Sequence, residues 1–166
     1  MELSSESIRH IGERDKKQNK ALLDRIKNRP PNHLDSTVHD LHHKAFEKID
    51  CLCCANCCKT TSPLITPTDI DRMAKRLRMK PSEFIETYLN IDEEGDYVFR
   101  SAPCPMLDSD NYCKIYNERP TACRTYPHTD RKKFYQLSKI TYQNSFICPA
   151  VQDILNGLRQ KLLGHI

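Results

Sequence analysis

Five cysteines fall within eight residues, and this run restricts the possible folds more than any other part of the chain. They are Cys51, Cys53, Cys54, Cys57 and Cys58. At a spacing of three residues, Cys51, Cys54 and Cys57 form a C-x2-C-x2-C motif, with Cys58 adjacent. A disulfide needs Cα atoms about 5.5 Å apart in a defined orientation, which cysteines one to three residues apart rarely reach. A metal ion or an iron–sulfur cluster can gather several thiolates from one short loop, so we expect a metal site here.

Four more cysteines follow at wider spacing, and two of them precede a proline. They are Cys104, Cys113, Cys123 and Cys148, and the first and last precede Pro105 and Pro149. With Cys53 set aside, the chain has eight cysteines, which is enough for two sets of four. The predicted metal ligands are therefore Cys51, Cys54, Cys57, Cys58, Cys104, Cys113, Cys123 and Cys148.

The spacing allows more than one metal and more than one pairing. Three thiolates at i, i+3 and i+6, with a distant cysteine before a proline, form the arrangement that bacterial ferredoxins use around a four-iron cluster. Either Cys104 or Cys148 could supply the fourth thiolate, and the other could join Cys58, Cys113 and Cys123 in a second site. Zinc is the alternative, because it accepts four thiolates at about 2.3 Å without redox chemistry. The predicted cofactor is a 4Fe–4S cluster or zinc.

Other polar residues give weaker indications of function. Arg119 and Arg124 lie near the later cysteines, and we expect these permanent charges to balance thiolate charge around the cofactor. His39, His42 and His43 have a spacing that could present two imidazoles to a metal. No carboxylate or cysteine is patterned with them, so exposed polar side chains are the favoured interpretation. No set of catalytic residues is visible, and whether the chain is an enzyme stays open.

The cellular setting follows from cysteine usage and hydropathy. No apolar run approaches the roughly 20 residues of a membrane helix, and the first residues lack the pattern of a signal peptide. Nine cysteines in a reducing cytoplasm favour metal binding over disulfides. The formal charge of +4 counts cysteines as neutral, whereas metal-bound thiolates would bring it near zero. A nucleic-acid partner is therefore not favoured, and we predict a protein partner, either a redox protein or a client enzyme.

Helical periodicity predicts a mainly α protein, a small α+β fold with a few short strands and an irregular cysteine-rich core organised around metal. Residues 5–28 are predicted to be helical, with few apolar positions, and Pro30 and Pro31 end this helix. Residues 1–32 are therefore predicted to form a basic helical arm that precedes a cysteine-cluster domain over 33–166.

Within that domain, Thr66, Pro67 and Asp69 have the pattern of a helix start, with a capping residue, a proline in the first turn and an acidic residue at the positive end of the helix. The other predicted elements are a helix over 36–50, a helix starting near Pro81 and including Leu89, strands over 97–100 and 112–116, a helical turn from Pro120 that carries Cys123, a helix over 131–141 and a last helix from Pro149.

Taken together, the cysteine-containing motifs resemble a known family. They are Cys51-x2-Cys54-x2-Cys57-Cys58, Cys104-Pro105, Cys113-x-Ile-Tyr116, Arg119-Pro120-x2-Cys123-Arg124-x-Tyr126-Pro127 and Cys148-Pro149. This set resembles a bacterial cysteine-cluster family, described as a zinc- or iron-chelating domain, over about residues 50–150. The resemblance implies a small intracellular metal-binding domain. The same domain type occurs in flagellin lysine methylases, where it implies iron–sulfur-linked methyl transfer. The chain departs from the family at Ala55, where glycine is common, and in the additional Cys53.

Overall fold

The computed structural model describes residues 4–163, and they are largely helical. In chain order the elements are α1 (Ser5–Asn28), α2 (Leu34–Phe46), α3 (Cys51–Cys54), α4 (Asn56–Thr60), α5 (Pro67–Arg76), α6 (Pro81–Tyr88), β1 (Leu89–Ile91), β2 (Tyr97–Phe99), α7 (Thr121–Thr125), α8 (Ser138–Asn144) and α9 (Pro149–Leu163). Single 3₁₀ turns occur at Tyr116–Glu118 and Phe134–Leu137. The mainly α fold with few strands is confirmed. No helix within the described residues is both long enough and apolar enough to span a membrane.

The chain divides into two compact units. The first unit consists of Met1–Cys54 and Pro127–Ile166, and the second consists of Ala55–Tyr126. The division falls inside the cysteine run, between Cys54 and Ala55. The boundary predicted near residue 32 stays a prediction.

Four helices build the first unit. Helix α2 packs against α9, and α1 packs against both α8 and α9. The last helix begins at Pro149 as predicted, and its Val151, Ile154, Leu155 and Leu158 are completely buried, as expected for one apolar face with a period of 3.6 residues. This unit thus has a continuous helical core.

Helix α1 contributes to that core in spite of its polar sequence. Ile8, Leu22 and Ile26 are each at most 4% exposed. Gly12 lies so close to the chain after α8 that a Cβ added to it would sit 2.8 Å from the Cα of Phe146. A few apolar residues therefore hold this helix, because they lie on one face and meet a close backbone neighbour.

The second unit has a smaller core made from short elements. Helix α5 starts as the sequence predicted, with a capping box in which Thr66 and Asp69 exchange hydrogen bonds and Pro67 follows the cap. Strands β1 and β2 pair antiparallel, with Leu89 opposite Phe99. The buried cluster consists of Ile65, Ile70, Met73, Ala74, Phe84, Leu89, Phe99, Met106 and Ile115.

Several predicted boundaries and one element type are wrong. Residues 112–116 do not form a strand, because Cys113 makes only an isolated bridge to Leu107 and the chain then turns at Tyr116. Leu89 begins β1 instead of continuing α6. The helix expected over 36–50 runs from Leu34 to Phe46. In place of a single helix over 131–141, the chain forms a 3₁₀ turn at Phe134–Leu137 and then α8 from Ser138. The helical turn that carries Cys123 is confirmed.

Candidate metal centre

The cysteine run consists of two short helices separated by a left-handed residue. Helix α3 carries Cys51, Cys53 and Cys54, and Asp50 accepts hydrogen bonds at its start from the amide of Leu52 at 2.8 Å and the thiol of Cys53 at 3.4 Å. Cys53 is exposed, and its omission from the predicted ligands stays a prediction.

Ala55 separates the two helices with a φ of 45°. This conformation is left-handed and favours glycine, so Ala55 adopts it at a cost in free energy. Helix α4 follows directly and carries Cys57 and Cys58.

In the first unit, Cys148 lies near two cysteines of the run. Its thiol is buried, and burial together with the neighbouring thiols of Cys51 and Cys54 raises its pKa to about 12. The structure therefore brings together three predicted ligands of this unit, one of which is followed by proline. The grouping of Cys57 with Cys51 and Cys54 stays a prediction.

In the second unit, four predicted ligands are mutual electrostatic neighbours. The thiol of Cys123 is influenced by those of Cys58, Cys104 and Cys113, and the amide of Cys104 donates to the carbonyl of Cys58 at 2.7 Å. The sequence left open which cysteine before a proline joins which set. In the structure Cys104 is near Cys58, Cys113 and Cys123, and Cys148 is near Cys51 and Cys54.

Backbone amides point at the sulfurs of the cysteines that precede proline. The thiol of Cys104 interacts with the N–H groups of Met106 and Leu107, and that of Cys148 with the N–H groups of Ala150 and Val151. Proline has no N–H, so the first amides available after each of these cysteines are two and three residues further on. Hydrogen bonds of this kind stabilise thiolates, and they tune the potential of iron–sulfur clusters.

Most of these thiols resist ionisation in the metal-free chain. Burial raises the pKa of Cys104 to about 11 and that of Cys123 to about 12, and it also raises the pKa of Cys113. Cys58 is the exception, since a hydrogen bond from Cys57, followed by the charges of Arg119 and Lys59, lowers its pKa to about 7. A bound metal would have to displace protons from the others, and Cys58 is the thiol most ready to bind first.

Arg119 is the charged residue that acts on most of the thiols in this set. Its charge favours the thiolate forms of Cys58, Cys113 and Cys123, and its guanidinium carbon lies 3.7 Å from the ring centroid of Tyr116. Within the described part of the chain, its buried Nε and Nη1 have no hydrogen-bond partner. Buried donors are normally satisfied, so these two N–H groups fit an anionic metal–thiolate group beside them.

Arg124 makes different contacts from those predicted. Its Nε donates to the carbonyl of Arg119 at 3.1 Å, and its Nη2 donates to the carbonyl of Asn117. Arg124 is exposed and closes the turn that leads into α7. Its predicted contact with a cofactor stays a prediction.

A buried ion pair, which the sequence analysis did not predict, holds the segment with Cys123. Asp69 is fully buried and accepts from Arg72 at 2.6 Å and from the amide and hydroxyl of Thr121 at 3.1 and 2.9 Å. Arg72 also donates to the carbonyls of Glu118 and Arg119. This network ties the start of α5 to the start of α7. The only sequence signal was the capping pattern at Asp69, which gave no sign of a partner 52 residues away.

His128 is half-buried, and burial lowers its pKa.

Family comparison supports a metal centre. The model of the CxxCxxCC family, described as "Putative zinc- or iron-chelating domain", matches residues 50–144, which is more than half of the chain. No curated protein and no solved structure gives a significant match. The donor set fits the family description, because buried thiols, amides directed at sulfur and the unsatisfied donors of Arg119 are what a zinc–thiolate or iron–sulfur group requires.

Proposed function

The chain belongs to the CxxCxxCC family of zinc- or iron-chelating domains, and on this premise we propose that its cysteines hold an iron–sulfur cluster. The proposed metal ligands are Cys51, Cys54, Cys57, Cys58, Cys104, Cys113, Cys123 and Cys148, which are enough for two groups of four, and a four-iron cluster takes one such group. The proposed role is electron transfer or support of a cluster-dependent reaction in a protein partner of the cytoplasm. When bound, such a cluster supplies one-electron redox chemistry.

One observation carries the proposal: a cationic side chain with unsatisfied buried donors acts on three thiols of the second unit. Arg119 favours the thiolate forms of Cys58, Cys113 and Cys123. The thiol of Cys123 is in turn influenced by those of Cys58, Cys104 and Cys113. An anionic cluster would be compensated by this arginine and by the amides that face Cys104. The protein would thus contribute charge balance and orientation, which are the means by which a protein sets a cluster's potential.

A zinc-stapled module without redox chemistry is the second candidate. The observation that favours it is the small core of the second unit, where Cys104 and Cys113 pack against the apolar cluster. A structural metal would stabilise these loops directly. In that case the partner would bind a scaffold, and no electron would be transferred.

The experiment is anaerobic purification followed by visible absorption and by assays of iron, sulfide and zinc. A brown protein with about four irons and four sulfides per cluster supports the proposal. A colourless protein that retains zinc and lacks iron would overturn it and leave the stapled module.

Two serine variants test the ligand set. We expect Cys123→Ser to lose the metal of the second unit, because Cys123 is buried among the other three thiols. Cys53→Ser is the matched control and should retain the full metal content, since Cys53 is exposed and faces Asp50. A Cys123→Ser variant that retains as much metal as Cys53→Ser would remove Cys123 from the proposed set.

A further inference from the structure

A second kind of metal-binding arrangement lies in the first unit and contains no cysteine. His39 and His43 are one turn apart on α2, so their imidazoles lie on the same face of that helix. Their Nε2 atoms are 3.1 Å apart. His39 is 54% exposed, which leaves the space around it open to an ion from solvent.

The separation of these two nitrogens matches the edge of a zinc coordination polyhedron. Two imidazole nitrogens bound at about 2.0–2.1 Å to one tetrahedral zinc lie about 3.3 Å apart. The helix therefore already holds two ligand atoms at the distance that one ion requires, and no change of backbone is needed.

Asp130 completes the arrangement from a distant part of the chain. Its Oδ1 lies 2.5 Å from Nδ1 of His39. One ligand atom from each of Asp130, His39 and His43 lies within 4.8 Å of the other two, a group that could hold a metal ion. When the Nδ1–H of His39 donates to the carboxylate, the lone pair of Nε2 faces His43, which is how histidine ligands are oriented in many metal sites.

The loop that carries Asp130 is fixed to α2 on both sides of this residue. Before it, the hydroxyl of the buried Thr129 lies 2.8 Å from Nδ1 of His42. After it, Asp35 accepts from the amides of Lys133 and Phe134 at 2.7 and 3.0 Å. These contacts hold the carboxylate in place without any ion, so little entropy would be lost on binding.

We propose that His39 and His43 bind a divalent transition-metal ion of the zinc type through their Nε2 atoms, and that the Asp130 carboxylate orients His39 from its Nδ1 side. Nitrogen and oxygen donors suit Zn²⁺ and similar borderline ions, whereas the thiolates of the cysteine centres favour softer metal ions. Because the site is open to solvent, its ion exchanges more readily than one held by buried thiolates.

The competing explanation is an ion pair. A protonated His39 would donate to both Asp130 and His43, and His39 is the main cause of the lowered pKa of Asp130. The ion pair needs no metal, so added zinc would leave it unchanged, whereas the proposed site must take up an ion.

The test is a Zn²⁺ titration by calorimetry on the protein with its cysteine centres already loaded. We expect one further zinc per chain, and we expect the double variant H39Q/H43Q to lose it while its content of cysteine-bound metal stays equal to wild type. His10→Gln is the matched control, because His10 is an exposed histidine on α1, and it should bind like wild type. Equal zinc uptake by H39Q/H43Q and wild type would overturn the site, whatever metal the cysteines hold.

Two further measurements separate ligands from bystanders. In ¹⁵N-histidine spectra, added Zn²⁺ should shift the Nε2 signals of His39 and His43 and leave that of His10 unchanged. D130N should retain the shifts but weaken zinc binding 10- to 100-fold, the usual effect of removing a carboxylate that orients a histidine ligand. Spectra in which no histidine signal moves would leave only the ion pair, and undiminished affinity in D130N would remove the carboxylate from the site.

Discussion

The two units of the chain are stabilised in different ways. In the first, long helices bury continuous apolar faces, and in α9 Val151, Ile154 and Leu158 are completely buried. In the second, the buried cluster is smaller, and the path from Arg100 to Thr121 contains only one 3₁₀ turn and an isolated bridge. The comparison indicates that helix packing sustains the first unit, whereas the second depends on contacts that a metal would strengthen.

Removal of the metal is expected to have the largest effect on this difference between the two units. Structural metals contribute about 10 kcal/mol or more to the folding of small metal-binding domains, so amides between residues 104 and 123 should lose most of their protection from hydrogen exchange. Amides of α9 should keep theirs to within about tenfold, because apolar packing holds that helix. Hydrogen exchange of the loaded and chelated proteins, compared residue by residue, measures both. Equal loss in the two units would show that metal supports the whole fold.

The next largest effect is expected at Asp69 in the second unit. Burial alone would raise its pKa, but the hydrogen bonds from Thr66, Arg72 and Thr121 outweigh burial and hold it at about 2. That depression corresponds to about 2–3 kcal/mol of stability. We expect Asp69→Asn to lose this amount in urea unfolding at neutral pH, and to move Cys123 by releasing the start of α7.

The sign of the pH effect follows from the depressed pKa. A carboxylate that ionises more readily in the folded state stabilises the fold above its ordinary pKa of 3.8, and that stability is lost as the pH falls towards about 2. The difference between wild type and Asp69→Asn should therefore be constant from about pH 8 to 5 and shrink below about 4. Asp71→Asn, an exposed position on the same helix, is the control and should change little. A difference that grows on acidification would contradict the assignment.

A moderate effect is expected in the first unit at Gly12. A Cβ there would lie 2.8 Å from the backbone of Phe146, which has little room to move, so Gly12→Ala should destabilise the unit by about 1–3 kcal/mol despite its better helix propensity.

Gly157→Ala is the matched comparison for Gly12→Ala. The added Cβ would lie 2.5 Å from a terminal methyl of Leu41, and that flexible side chain can shift, so the loss should be smaller. Thermal unfolding of both variants measures the difference. If Gly12→Ala is neutral, α1 is not held as closely as the helical core implies.

The contrast between the units also explains how far the sequence could predict the structure. Where stability comes from one face of a long helix, the pattern is local, and the period of α9 and the capping residues Thr66 and Asp69 were sufficient. Where the backbone path is set by a contact outside the segment itself, the local pattern was not sufficient. Cys113 lies in a segment rich in strand-forming residues, yet its loop is shaped by the bridge to Leu107.

The candidate site shows the same limit. Eight of the nine cysteines could be proposed as ligands from spacing alone, but the partners of Cys104 and Cys148 depend on which unit each one belongs to. Likewise, His39 and His43 have the right spacing for a metal. The sequence nevertheless favours exposed polar side chains at these positions, because the carboxylate that accompanies them, Asp130, is 91 residues away from His39. Contacts of this range leave no periodic signal in a single sequence.

The smallest predicted effect lies at the start of the second unit, at Ala55. This residue has a φ of 45° and is 4% exposed, and a left-handed conformation costs an alanine about 1 kcal/mol relative to glycine. We expect Ala55→Gly to stabilise the loaded protein by at most about 1 kcal/mol, because the added freedom of glycine in the unfolded chain offsets part of the gain. Chemical unfolding with metal bound measures the change, and Ala122→Gly in α7, where no left-handed angle occurs, should destabilise instead. If both variants lose stability equally, the left-handed conformation of Ala55 does not destabilise the folded protein, because its neighbours already relieve the strain.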